Sequence, residues 1–445
     1  MTTPICDFVR NYADSGTIRL HMPGHKGVAL TGHERLDLTE IAGADSLYEA
    51  DGIIAESEAN ASTLFGCPTF YSTEGSSQCI RAMLYLAMLA GGSRKGRRMR
   101  VLAGRNAHKT FLSAAALLDF DVDWICGGES YLACRITPEA LDTALAEAGR
   151  EAPADAVYLT SPDYLGNTAD IAALAAVCHR HGALLIVDNA HGAYLRFLPE
   201  SRHPIDRGAD MCCDSAHKTL PALTGAAYLH LSPTLPREFA ANAKRALAMF
   251  GSTSPSYLIL QSLDALNAHL AGEYPARMAA LCEKIAAMKT RLSAIGWRFA
   301  GDEPMKLTID AKASGHTGGA LADALRAHRI ECEFADPDYL VLMPTPASDD
   351  LDAAEAALAA IGARAPMDAP PPRLVLPERV LSVREAAFSP AEEIPARESA
   401  GRILAAATVG CPPAVPIVVS GERIGADAVR CFEYYGIETC VVVME

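Results

Sequence analysis

The stretch ALLIVDNA at positions 183–190 decides the fold class of this chain. It is an uninterrupted apolar run of strand length that ends in the carboxylate of Asp188. Strands without polar–apolar alternation are typical of parallel sheets, which are covered on both faces. Further short runs of this kind are CPTFYST, MRVLAG, DVDWIC and AVYLTS, with helical patterns between most of them. This alternation over about residues 60–230 predicts an α/β fold with a mostly parallel sheet.

The pattern changes in the second half of the chain. It becomes mainly helical after Pro255, and a second α/β region begins near residue 305. Residues 365–376 are rich in proline and have the composition of a linker. We predict a large domain with an N-terminal arm over residues 1–296 and a smaller C-terminal α/β domain over 297–445.

Composition excludes several function classes. The chain has 445 residues, with 39 Lys and Arg against 54 Asp and Glu, so its formal net charge is −15. Such a chain is a poor partner for nucleic acid and attracts cationic ligands. Its 13 cysteines include no C-x-x-C pair, and no signal peptide or membrane-length apolar stretch is evident. We therefore expect a soluble cytoplasmic protein without a membrane partner.

Lys218 is the most informative lysine. It follows the strand-like run GADMCCDSA and lies beside Ser215 and His217. A lysine at the mouth of a parallel sheet could form a Schiff base with a phosphorylated aldehyde, while the hydroxyl and the imidazole bind the phosphate. The S-x-H-K pattern taken alone is equally compatible with an ordinary loop lysine.

Asp188 strengthens this interpretation. A carboxylate at the end of a strand could cap the next loop, but it is also where a pyridinium nitrogen needs a counter-charge. Gly75-Ser76-Ser77 lies between a strand and a helix, where it could hold a phosphate or merely cap the helix. His108, in RNAHKT, could stack on a cofactor ring or be structural. His21 and His25 are four apart, but the intervening MPG breaks any helix, so we expect no metal site.

Together these motifs resemble the Orn/Lys/Arg decarboxylases, which are pyridoxal 5'-phosphate (PLP) enzymes of fold type I. The resemblance is to the short form that lacks the N-terminal wing domain. The segments that carry it, in the family's order, are HMPGHKG (21–27), LTEIAGADSLYEADGII (38–54), RNAHKT (105–110), DNAHGAY (188–194), SAHK (215–218), STSPSYLILQSLDA (252–265) and CPPAVPIVVSGE (411–422). It implies a large domain with a seven-stranded sheet and a smaller C-terminal domain.

The resemblance also implies residue roles. Lys218 would bind the cofactor aldehyde, Asp188 would pair with the pyridine nitrogen, and His108 would stack on the ring. The remaining cofactor-binding residues implied are Ser76, Ser77, His191, Ser215, His217, Ser252 and Thr253. Of these, Ser252 and Thr253 resemble a contribution across a subunit interface, which implies a homodimer, or a multiple of dimers, with shared active sites.

The implied reaction is decarboxylation of a basic L-amino acid to its amine and CO₂, in polyamine biosynthesis. Arginine is the first expectation, followed by lysine and ornithine. Other PLP chemistry (an aminotransferase, lyase or aldolase) and a non-catalytic regulatory paralogue are the alternatives. They stay open because the chain departs from the family pattern at Ser46, Tyr48, Glu74 and Asn189.

Overall fold

A computed structural model describes residues 1–91, 96–348, 350–408 and 414–444. The first three residues of the CPPAVPIVVSGE segment, 411–413, lie outside the described part.

The helices are α1 Pro4–Asp14, α2 Ile53–Phe65, α3 Ser76–Ala90, α4 Lys109–Leu118, α5 Pro138–Ala148, α6 Ile171–Arg180, α7 Ala216–Thr219, α8 Arg237–Ala248, α9 Tyr257–Leu270, α10 Tyr274–Ala294, α11 Gly318–Ala327, α12 Leu351–Ile361, α13 Val383–Phe388 and α14 Ala426–Tyr434. The strands are β1 Thr69–Ser72, β2 Arg100–Gly104, β3 Asp121–Ile125, β4 Ala156–Thr160, β5 Leu184–Asp188, β6 Met211–Asp214, β7 Ala227–Leu231, β8 Phe299–Ala300, β9 Leu307–Asp310, β10 Phe334–Ala335, β11 Tyr339–Leu342, β12 Ala391–Pro395 and β13 Thr439–Val443.

The main sheet confirms the predicted fold class. It has seven strands and is mostly parallel. The five apolar runs from CPTFYST to ALLIVDNA form β1 to β5, as their patterns predict. The chain separates into two compact units, one made of Met1–Ala90 and Leu184–Met278 and the other of Gly91–Ala183 and Ala279–Glu445. The predicted domain boundary at 296/297 stays a prediction.

The first unit holds four strands of the main sheet, in the order β1-β7-β6-β5. Strands β5 and β6 are parallel, with Asp188 opposite Cys213. Strand β7 is antiparallel to both of its neighbours, β1 and β6. All residues of β6 and β7 are buried. The parallel pair brings the carboxyl ends of β5 and β6 to the same edge, where ligands bind in α/β sheets.

The second unit holds the other three strands, parallel and in the order β4-β2-β3. It also contains an antiparallel sheet, β10-β11-β9-β8, and the antiparallel pair β12 and β13. Residues 365–376 form no helix or strand apart from one bridge, between Arg373 and Ser130.

Helix starts in the second unit follow ordinary capping chemistry. The Thr137 hydroxyl accepts a hydrogen bond from Ala140 N at the start of α5. Ser382 and Glu385 form a reciprocal capping box at the start of α13. Such caps satisfy the first backbone N–H groups of a helix and fix where it begins. In the described part of the chain, no helix is long and apolar enough to cross a membrane.

Candidate active site

The candidate site in the first unit begins at the end of β5. Asp188 is 2% exposed, and its Oδ1 accepts a hydrogen bond from Ala190 N at 3.1 Å. Cys213 Sγ lies 3.7 Å from the same oxygen. Burial, followed by the charge of Asp188, raises the pKa of the Cys213 thiol well above its usual value. The thiol therefore stays protonated and donates to the carboxylate.

Lys218 lies in α7, the single turn that follows β6. Its backbone N donates to Ser215 O at 3.1 Å, and its Nζ lies 3.2 Å from His191 Nε2. An ammonium group has only donors, so His191 Nε2 acts as the acceptor when the lysine is charged. The structure thus brings the amine of Lys218 beside an imidazole that lies three residues after Asp188.

Two serines meet at the start of α3. Ser215 Oγ donates to Ser76 Oγ at 2.8 Å, and Ser77 follows in the same helical turn. The preceding Gly75 has φ +72°, which glycine adopts without strain, and no atom lies within 4 Å of where its Cβ would stand. Two hydroxyls, free space and the N-terminus of a 15-residue helix suit a phosphate group.

His217 is oriented by the backbone. Its Nδ1 lies 3.0 Å from Ala226 O, which can only accept, so Nδ1 carries a proton. This bond fixes the plane of the imidazole and leaves Nε2 as its second polar atom.

His108 lies in the second unit, at the N-cap of α4. Its Nδ1 accepts from Thr110 N at 3.3 Å and lies 2.9 Å from Thr110 Oγ1. The structural role that its position allowed is therefore present. This cap leaves the proton of a neutral ring on Nε2 and fixes the plane of the imidazole.

Ser252 and Thr253 are exposed residues of the loop before α9. Ser252 N donates to Glu74 Oε1 at 2.7 Å, so one of the departures from the family pattern holds this loop. The Ser252 hydroxyl accepts a hydrogen bond from Ser254 N within the loop. No hydrogen bond among the described residues joins the side chain of Ser252 or Thr253 to Asp188, Lys218 or Ser76.

Two further departures, Tyr48 and Ser46, lie in the first unit between α1 and α2 of the chain, and both are partly buried. Tyr48 Oη accepts from Gln78 Nε2 at 2.8 Å, and burial raises the pKa of Tyr48 above its usual value. A Cβ on Gly251 would lie 1.9 Å from Tyr48 Oη and 2.1 Å from Gln78 Nε2, so a larger residue there would displace this pair. Ser46 Oγ donates to Glu49 Oε2 at 2.7 Å on the exposed side.

The sequence analysis missed the partner of Asn189. Its Nδ2 donates to Asp214 Oδ1 at 2.6 Å, and both residues are fully buried. The signal was present, because Asp214 ends the apolar run MCCD just as Asp188 ends ALLIVD. Gln78 and Gly251 were also missed, since nothing local marks them as neighbours of Tyr48.

Two family models and several relatives match the sequence of this chain. A family model described as "Orn/Lys/Arg decarboxylase, major domain" matches residues 3–300, and the family's C-terminal domain matches 375–439. Arginine decarboxylases of Halalkalibacterium halodurans and Bacillus subtilis are each 29% identical, over 95% of this chain and 91% of their own length.

Two solved lysine decarboxylases share the fold. The enzyme of Francisella novicida has a TM-score of 0.81 at 15% identity, over 99% of this chain and 81% of its own. The constitutive enzyme of E. coli has a TM-score of 0.78 at 17% identity, over 100% of this chain and 82% of its own. The major-domain match spans more than half of this chain. The chain therefore belongs to the Orn/Lys/Arg decarboxylase family, whose cofactor is PLP.

Proposed function

We propose that this protein decarboxylates L-arginine to agmatine and CO₂, with lysine and ornithine as the next candidate substrates. The observation that carries the proposal is the convergence of Lys218, Asp188 and the paired hydroxyls of Ser76 and Ser215 in one unit. The choice of arginine rests on the two relatives named arginine decarboxylase, which match over 91% of their length.

The residues fit PLP. Ser76, Ser77 and Ser215 would offer hydroxyls to its phosphate, because Ser76 and Ser77 start α3 and Ser215 bonds Ser76 beside the space over Gly75. His217, in α7 two residues after Ser215, would add a further contact. When bound, the cofactor accepts the electron pair released as the bond from Cα to the carboxylate breaks.

The chain's own groups supply the remaining chemistry. Asp188 would hold a proton on the pyridine nitrogen, and its burial would exclude the water that weakens such an ion pair. Lys218 would supply the amine that holds the cofactor's aldehyde group. His191, 3.2 Å from Lys218 Nζ, would accept a hydrogen bond from that amine and orient it. His108 would contribute a ring-stacking imidazole whose plane is set by its cap.

A homodimer would complete the site, with Ser252 and Thr253 reaching the partner's active site. Both residues are exposed, and Glu74 bonds the backbone N of Ser252. An apolar segment of the N-terminal arm is also exposed, as expected of a surface that a second chain covers. Its most exposed side chains are Ile18 82%, Leu20 89%, Met22 71%, Val28 64% and Leu30 84%.

We further propose a cytoplasmic location and a product that enters polyamine biosynthesis. The cysteines in the described ranges are all free thiols, which is typical of a reducing compartment.

The test is mass spectrometry of the products formed by PLP-loaded protein with arginine, lysine and ornithine in competition. Agmatine as the main product supports the proposal, and cadaverine or putrescine instead would overturn the choice of arginine. Oxo acids would indicate an aminotransferase. No turnover despite cofactor bound to Lys218 would support a regulatory paralogue. Lys218→Ala is the control, since it removes the amine and must abolish every product.

A further inference from the structure

A second cluster of ligating side chains lies in the first unit, made of residues that have no role in the cofactor site proposed above. His203, Asp214 and His230 come from the loop after β5, the end of β6 and the middle of β7. All three side chains are fully buried. One atom from each, the two Nε2 atoms and a carboxylate oxygen, lies within 4.8 Å of the others.

The distances in this cluster are longer than those of strong ion pairs and leave room for an ion. Asp214 Oδ2 lies 3.2 Å from His203 Nε2 and 3.1 Å from His230 Nε2, within the range of ordinary hydrogen bonds. Charge-assisted hydrogen bonds are about 2.7–2.9 Å long. The pair His181–Asp142 has that length, at 2.7 Å. Ligands at about 2.0–2.2 Å from a tetrahedral zinc ion stand about 3.3–3.6 Å apart, slightly more than the distances found here.

The charge balance also calls for a cation. Asp214 is buried, and among the residues that the structure describes its carboxylate is paired with no lysine or arginine. Buried carboxylates are costly unless a cation or metal compensates them. The Asn189 amide supplies a hydrogen bond to Asp214 but no positive charge.

His230 and Asp214 have the outer contacts found around protein-bound metals, whereas His203 Nδ1 is buried without a hydrogen-bond partner in the described part of the chain. His230 Nδ1 lies 3.0 Å from Thr69 Oγ1, and Asp214 Oδ1 accepts from Asn189 Nδ2, which leaves Oδ2 facing the histidines. Partners on the far side of ligating groups orient them in this way.

A fourth donor lies close by. Cys212 Sγ is 3.7 Å from His203 Nε2. Cys212 precedes Asp214 by two residues on β6, so both side chains lie on one face of the sheet. It also stands opposite His230 in the register of β6 and β7. A small rotation of its side chain would complete a set of two imidazoles, one carboxylate and one thiolate.

We propose that His203, Asp214 and His230 bind one zinc ion, with Cys212 as the fourth ligand. Binding releases the thiol proton of Cys212 to solvent, so the ion and its two anionic ligands are neutral together. The ion is structural, since four protein ligands leave no position for substrate. Through Asn189 it would fix the turn after Asp188, and through β6 it would fix the segment leading to Ser215.

The decisive measurement is the metal content of the PLP-loaded wild-type protein, expressed with zinc in the medium and dialysed into metal-free buffer. We expect one zinc per chain by inductively coupled plasma mass spectrometry. Zinc far below this ratio would overturn the site and leave a hydrogen-bonded cluster in its place. This result is independent of decarboxylase activity, so the failure of one proposal does not imply the failure of the other.

Variants locate the ion. His203→Gln should lose the zinc, while His181→Gln, which alters an exposed histidine–carboxylate pair, should keep it. Equal zinc in both would place the ion elsewhere and overturn the assignment.

Cobalt-loaded wild-type protein should show a thiolate-to-cobalt absorption band that is lost in Cys212→Ser. Absence of the band in wild-type protein would remove Cys212 from the ligand set. Should His203→Gln fail to fold, the wild-type stoichiometry and the cobalt band still decide.

Discussion

Replacing Glu422 by glutamine should strongly destabilise the second unit. Glu422 forms a bidentate ion pair with Arg105, at 2.6 and 2.7 Å, and the two side chains are 4% and 0% exposed. Glu422 also accepts from Val419 N, and the Arg105 guanidinium lies over the ring of Trp124. The pair thus joins the RNAHKT segment to the last residue of the CPPAVPIVVSGE segment.

The size of the effect follows from burial. Glu422→Gln keeps the side-chain shape but leaves the Arg105 guanidinium buried without a counter-charge. Breaking a buried pair by removing one partner costs about 3–5 kcal/mol. Removing both charges restores much of that loss, because no isolated ion remains. The double variant Arg105→Met with Glu422→Gln should therefore be more stable than Glu422→Gln alone.

The assay is urea unfolding followed by circular dichroism, with Glu378→Gln as the matched control. Glu378 pairs with Arg423 in the same region at 3.3 Å, but the two side chains are 72% and 44% exposed. Such a surface pair contributes about 0–1 kcal/mol. If Glu422→Gln lowers the free energy of unfolding no more than Glu378→Gln does, the argument from burial is wrong.

Three further predictions test other parts of the structure. Gly251→Ala should lower the melting temperature, since overpacking costs about 1–3 kcal/mol and its Cβ would lie 1.9 Å from Tyr48 Oη, whereas Gly319→Ala, with open space in α11, should not. Burial raises the pKa of Glu303 from 4.5 to about 7. The contribution of Glu303 to the free energy of unfolding therefore falls as pH rises between these values. In Glu303→Gln the urea midpoint should depend less on pH over this range. Ser215→Ala should weaken PLP binding, measured by cofactor titration, and unchanged affinity would contradict the phosphate role.

The fold and one part of the site are predictable because their signals are local. ALLIVD and MCCD each show a strand and the carboxylate that ends it within a few residues. The S-x-H-K pattern places Lys218 directly after the second of these strands. A parallel pair then has only one edge at which both carboxyl ends meet, so the group of Asp188, Lys218 and Ser215 follows from the chain order.

The pairs that hold these elements are not predictable, since no local pattern marks them. Arg105 and Glu422 are 317 positions apart, and only the packing of the second unit brings them together. His108 shows another limit: an imidazole just before a helix is compatible with both capping and ring stacking, so the sequence cannot separate the two roles.

The departures from the family pattern form hydrogen bonds with their neighbours, which argues against decay of the site. Glu74 accepts a hydrogen bond from Ser252 N, Tyr48 Oη accepts one from Gln78, and the Asn189 amide nitrogen donates to Asp214 at 2.6 Å. Buried polar groups without partners cost stability. Asn189 Oδ1 is such a group among the described residues, but its amide nitrogen is paired beside an Asp188 that is 2% exposed. Three of the changed positions thus keep hydrogen-bond partners, as expected of a site that still packs.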